Sequence, residues 1–286
     1  MGMLEFRDQL FLLSAEGEER LIKQDHFDKQ FKPMIYAAQA SRDAAINIRD
    51  MIVSHFNAIQ SGKAVRYRGN QYDILETIDI PLSQAVDLLL DQSIVATKAG
   101  LQNILKDPLK MDVGFFFQNN NLFNQGVGNL RASSENNLAQ YLHYVRNSWH
   151  EKLQDLRAQH EHKGWSLKII EYQLVEKSGL LVSLPIILGM SVNDFAIRTA
   201  NRVLLFIENM MVYAMQRYCY QYPIFVVEIS KEKRDPVNPQ RFRLAPKGLD
   251  TSPPWVIAYS DDLDFISSEL LQGVLVDKYH RTIMQI

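Results

Sequence analysis

Ser133–Trp165, SSENNLAQYLHYVRNSWHEKLQDLRAQHEHKGW, is the stretch whose reading decides the fold. Leu138, Leu142, Val145, Trp149, Leu153 and Leu156 recur at the three-to-four-residue period of one buried helical face. Ser133 or Ser134 suits an N-cap, and Gly164 suits the stop after the last turn. The spacing predicts one long helix, with His143, Arg146, His150, Gln154, Arg157 and Glu161 as a polar stripe along its side. Four of the seven histidines fall in this stretch: His143, His150, His160 and His162.

Towards the N-terminus, Met34, Ala38, Ser41, Ala45, Ile48, Ile52, Phe56 and Ile59 mark another helix, with Pro33 expected in its first turn and Gly62 as its stop. Residues 4–31 carry a mixed helical signal. Arg42, Asp43, Arg49 and Asp50 read as a solvated face. AVRYRGNQYDILETI (64–78) alternates about Gly69–Asn70 as a β-hairpin does. A helix from about Pro81 to Lys106 follows, expected to end at Asp107–Pro108 because the residue before a proline is pushed out of the helical region. Residues 108–132 read as a short helix and a loop. Gly126 and Gly128 there lack the third glycine and the strand of a dinucleotide fingerprint.

Towards the C-terminus, two β-branched runs flank Lys177–Ser178–Gly179, giving a hairpin over about 168–188. Ser191 and Asp194 form a capping box before a helix over about 192–219, with Ala200, Val203, Leu204, Ile207, Met211, Ala214 and Tyr218 as its apolar stripe. Met210, Met211 and Met215 read as core fillers. Strands are expected at 224–230 and from Trp255, and a closing helix over about 261–281. The fold class expected is mainly α: an up-and-down helical bundle over 1–220 with an inserted β-hairpin, and a small α+β appendage over 221–286.

A chain of 286 residues with 47% hydrophobic residues can bury a sizeable core. A net charge of −2 argues against a protein that coats nucleic acid by charge alone. The single cysteine, Cys219, excludes an intrachain disulfide and a multi-thiolate zinc site, and it fits a reducing cytoplasm. The start lacks the pattern of a signal peptide, and the longest apolar run, Leu180–Leu188, is too short to span a bilayer.

For chemistry, His150–Glu151 is followed by Gln154 where a zinc-protease helix needs a second histidine, so no metal is expected, and no cofactor. No nucleophile elbow is present. Metal-independent RNA cleavage needs a base near neutral pKa to take a 2′-hydroxyl proton, and a cation against the phosphorane. Arg157-Ala-Gln-His-Glu-His162 supplies both. Residues five apart on a helix point about 140° apart, so the last turn must bring His162 round, or a partner subunit must supply half of the site. The plain structural reading pairs Arg157 with Glu161 and sets His160 and His162 against the helix C-terminal dipole.

Arg157-x4-His162 at the end of a long helix, followed by Lys163-Gly164-Trp165, resembles the arginine–x4-to-6–histidine signature of the HEPN superfamily. The later helix with Asn201, Arg202, Leu204, Leu205 and Phe206 is similar to that of its prokaryotic members, and the likeness covers about 33–219. The resemblance implies a helical bundle that dimerises to join two motifs into an RNA-cleaving site, in some members beside a nucleotidyltransferase-type antitoxin partner. Ala158 departs from the polar residue usual after the arginine. The resemblance gives His162 the acid–base role and Arg157 the phosphate, with His160, Glu161 and Arg146 as contributors in a homodimer. The basic residues of 231–247 read equally as an RNA-backbone contact or as a solvated loop. The competing reading is a non-catalytic helical module that dimerises or docks a partner.

Overall fold

Every apolar position of the first long period is buried. In the computed structural model Met34, Ala38, Ser41, Ala45, Ile48, Ile52, Phe56 and Ile59 all lie on the inner face of α1 (Gln24–Gln60). Arg42–Asp43 and Arg49–Asp50 pair on its exposed face. Gly62, at φ +72°, closes the helix in a conformation that only glycine adopts without cost. Pro33 lies inside α1 rather than in its first turn; the helix begins upstream of it.

The structure describes residues 24–68, 71–109, 113, 116–175, 179–219, 224–234, 241–246, 266, 275–276 and 281–284. The expected helical signal at 4–23 and the strand from Trp255 lie outside them.

After α1 come β1 (Val65–Arg68) and β2 (Gln71–Ile74), an antiparallel hairpin with Val65 opposite Ile74. Then follow α2 (Asp79–Leu109), α3 (Asn120–Ala132) and α4 (Asn136–Val145). Helix α2 runs through Asp107–Pro108 for one residue before it stops. Arg146–His150 is a π-helical turn, and α5 (Glu151–Lys163) completes the central run. The chain continues as β3 (Glu171–Val175), β4 (Gly179–Ser183), β5 (Ile186–Ile187), β6 (Met190–Ser191) and α6 (Val192–Cys219). Last come β7 (Ile224–Glu228), β8 (Phe242–Pro246), β9 (Leu275–Val276) and β10 (Arg281–Met284). The architecture is mainly helical with small antiparallel strand pairs, as expected.

The described residues fall into two compact units. One takes residues within 1–36, 97–150 and 206–260, the other within 37–96, 151–205 and 261–286. In the first, Gly100 leaves room for Phe206: a Cβ there would sit 2.9 Å from Phe206 Cε1. Phe116, Phe117 and Phe123 pack ring to ring. Strands β7 and β8 pair antiparallel, Ile224 opposite Pro246.

In the second unit, Ser41 and Ser93 share a buried hydrogen bond of 2.9 Å between α1 and α2. Tyr72 Oη donates to the Tyr172 carbonyl at 2.7 Å, and the Asp79 carboxylate accepts from the Ile170 N–H at 2.8 Å. These bonds fix the entry of β3. The sheet order is β3-β4-β10-β9, all antiparallel, with Arg281 opposite Ser183. Residues 275–276 and 281 were expected in a closing helix and are strand instead. The open edge of β4 offers unpaired N–H and C=O groups, and RTIM, with β-branched Thr282 and Ile283, satisfies them. The 221–286 segment therefore divides between the two units.

The capping box is present. Ser191 Oγ donates to Asp194 Oδ2 at 2.7 Å and accepts from the Asp194 N–H at 3.1 Å. Ser191→Ala is expected to lower stability by about 1 kcal/mol, measured as the shift of the urea midpoint. A shift below a third of that would show the cap to be redundant. Beyond this cap α6 is buried nearly all round, including Met210, Met211 and Met215.

Candidate functional site

The central run carries the candidate residues, and its π turn decides which of them reach the surface. The serines do not cap it. Ser133 ends α3, Ser134 takes φ +65°, and α4 starts after Glu135 with no side-chain cap. The predicted seam is buried throughout: Leu138, Leu142, Val145, Trp149, Leu153 and Leu156. The predicted polar stripe is not continuous. One widened turn adds a residue and shifts the helical phase, so Arg146 and His150 turn inward.

Arg146 is therefore a packing residue, contrary to its expected role beside the catalytic pair. Its Nε donates to the Phe117 carbonyl at 3.1 Å, its Nη2 donates to Asn120 Oδ1, and the guanidinium lies 4.6 Å from the Phe123 ring centre. His150 is 2% exposed, with its ring 4.7 Å from that of Phe117 and 5.7 Å from that of Trp149. Burial, and then the Arg146 charge, hold its pKa down at about 3, so it is neutral; its Nδ1 has no hydrogen-bond partner. His143 meets the Phe123 ring edge-on, and burial lowers its pKa too.

Arg157, His160, Glu161 and His162 belong to the second unit, on the last turns of α5. Arg157 Nη2 pairs with Glu161 Oε1 at 3.0 Å, the i,i+4 contact expected of the plain structural reading. Its Nε lies 2.9 Å from Asp91 Oδ1 on α2. The other oxygen of Glu161 stands 3.8 Å from His162 Nε2. The Glu161 carboxylate thus stands between Arg157 and His162, which start about 140° apart on the helix. His162 is 76% exposed at its side chain. Gly164 (φ +66°) turns the chain, and the Trp165 N–H closes on the Gln159 carbonyl at 3.2 Å.

His160 does not join that pair. Its Nε2 lies 3.4 Å from Asp87 Oδ1, and its ring meets Trp165 edge-on at 6.2 Å. Burial raises the Asp87 pKa, against the opposing pull of His160. Asp87 and Asp91 are the residues the sequence reading missed. They sit four apart on α2, which puts both on one helical face. That spacing was visible in the sequence, but nothing in it indicated that this face meets α5.

Two arginines of the basic segment 231–247 are engaged within the protein. Arg234 is tied to the Ile229 carbonyl and to Glu228, and Arg241 is buried against Glu208 and Asn209. Lys231, Lys233 and Arg243 are exposed; 235–240 and Lys247 lie outside the described residues. Among the described residues no group of three or more His, Cys, Asp or Glu is placed to hold a metal ion. No described helix is long and apolar enough to cross a membrane. Compared with known protein families, with curated proteins and with solved structures, the chain matches none.

Proposed function

We propose that this chain is a HEPN-like RNA-binding protein that cleaves RNA without a metal, working as a homodimer. The observation that supports the reading is that Arg157 and His162 flank the Glu161 carboxylate, one on each oxygen, at an exposed helix end. His162 takes the proton from a ribose 2′-hydroxyl, and the 2′-oxygen attacks phosphorus. The P–O5′ bond breaks, and the 5′-oxygen leaves with a proton returned by an imidazolium of the paired site. Arg157 exchanges Glu161 for the phosphate and holds the charge that builds on it. A toxin role beside a nucleotidyltransferase-type antitoxin belongs to the same reading.

The test is cleavage of a mixed RNA in EDTA. The wild type is expected to cut, and Arg157→Ala and His162→Ala each to lose at least about tenfold. Both side chains are partly exposed, and the Arg157 ion pairs are worth about 1 kcal/mol or less, so loss of fold does not explain such a drop. Equal cleavage by all three proteins sinks the reading.

A second reading, a non-catalytic partner-binding module, has its own observation. Asp87, Asp91 and Glu161 set three carboxylates about Arg157 and His160, a surface that repels phosphate. Under it, purified protein binds no RNA at low salt, while Glu161→Gln changes association with a protein partner.

A further inference from the structure

The opposite side of α5 from Arg157 carries a cavity of about 240 Å³. Its polar wall is Lys152, Asp155 and Gln159, spaced i, i+3 and i+7 on one helical face. Its apolar wall is Trp165, brought round by the turn at Gly164, with Ile186 and Leu188 from the β5–β6 hairpin. His162 follows Gln159 by three residues and Asp155 by seven, so it stands on the same face, one turn along.

Two features mark this cavity as a binding site rather than a packing fault. The side chains of Lys152, Asp155 and Gln159 are exposed, and none is engaged by another group among the described residues. Ile186 and Leu188 are 47% and 50% exposed, large apolar side chains held in water at the rim. Leu188 (φ +50°) and Gly189 (φ +78°) form the two-residue turn of the β5–β6 hairpin, and that turn sets the Leu188 side chain at the rim.

The size and lining choose the occupant. The volume falls short of the ~300 Å³ at which drug-sized ligand pockets begin, so it takes one ring system rather than a chain. An indole and two aliphatic side chains suit the faces of a planar ring. A purely apolar ring would leave a carboxylate, an amide and an ammonium unused at its edge. We propose that this cavity receives a single unstacked RNA base, guanine in preference to the others, beside His162. The base lies against Trp165, as single-stranded RNA bases lie against aromatic side chains. Guanine presents N1–H and its 2-amino group side by side, and one carboxylate accepts from both. Adenine and cytosine offer Asp155 one amino donor each; uracil offers one imide N–H. Gln159 serves the remaining edge, and Lys152 the adjoining phosphate. His160, edge-on to Trp165, steadies the indole. The inference rests on the RNA reading for its ligand, and its test is independent of cleavage.

The experiment titrates the full chain with guanosine, adenosine, cytidine and uridine 5′-monophosphates, following tryptophan fluorescence and, in parallel, calorimetry. Guanosine monophosphate is expected to bind at least tenfold more tightly than the pyrimidine nucleotides. Asp155→Asn erases that preference, Gln159→Ala weakens binding several-fold, and Trp165→Ala abolishes it. Both Asp155 and Gln159 are exposed, so these variants keep the fold. Absence of saturable binding by any nucleotide overturns the proposal, and so does binding that neither Asp155→Asn nor Trp165→Ala alters. The same samples are assayed for RNA cleavage in EDTA. Guanosine monophosphate binding without cleavage keeps the pocket and sinks the ribonuclease reading. Cleavage after every base alike, with no nucleotide bound, does the reverse.

Discussion

Arg241→Met is expected to lower the unfolding free energy by about 3–5 kcal/mol, the usual cost of breaking a buried ion pair from one side. The Arg241 side chain is 1% exposed. Its Nη1 donates to Glu208 Oε2 at 3.0 Å and its Nη2 to Asn209 Oδ1 at 2.9 Å, with Glu228 3.5 Å away and the Phe242 ring against the guanidinium. Asn209 in turn donates to Tyr141 Oη at 2.8 Å. Methionine keeps much of the volume and removes the charge, which strands Glu208. Burial already raises the Glu208 pKa, and Arg241 is the largest influence holding it down. The double change Arg241→Met with Glu208→Gln is therefore expected to recover a substantial part of the loss. Urea unfolding of the three variants measures this. A single-variant loss under about 1 kcal/mol, the range of exposed pairs, would mean that water reaches the site and the pair is not a structural anchor.

Acid is expected to destabilise the protein through His150, and His150→Leu to remove that part of the dependence. The folded pKa is about 3 and the ordinary value is 6.5. Between those values the unfolded chain holds a proton on His150 that the folded chain does not, so stability falls as pH falls through that window. The slope is about 1.4 kcal/mol per pH unit, which makes roughly 3 kcal/mol between pH 6.5 and 4. Above pH 6.5 the contribution is flat. His55 and His143 have lowered pKa values and act with the same sign, so the difference between wild type and His150→Leu isolates the one residue. Because His150 Nδ1 has no partner, the leucine variant should lose little at pH 8. Parallel stability–pH curves for the two proteins from pH 7 to 4 would show that the imidazole reaches solvent.

The sequence made the helices legible wherever apolar period and side-chain burial agree, as along α1 and the Leu138–Leu156 seam. Both long-range errors have one physical origin: pattern reports a residue's local preference and not its partner. Residues 275–276 and 281 have spacing that suits the end of a helix, but the vacant edge of β4 rewards a strand. The π turn escaped because a one-residue phase shift leaves no compositional mark, and it moved Arg146 and His150 from stripe to interior. At the candidate site, Arg157 and Glu161 were legible from their i,i+4 spacing. Asp87 and Asp91 were not, since they lie about seventy residues upstream, and loop closure over such a span leaves no local signal.

The pairing of β10 with β4 sets a schedule for synthesis. Arg281 emerges about 100 residues after Ser183, its partner across the sheet, and at ribosomal rates of about 5–20 residues per second that gap lasts roughly 5–20 s. For that interval the β3–β4 hairpin shows a bare edge, the surface through which nascent chains stick to one another. A release from the ribosome slowed between codons 184 and 280 would prolong the exposure, so the yield of folded protein should depend on translation speed across a segment far from the hairpin it protects.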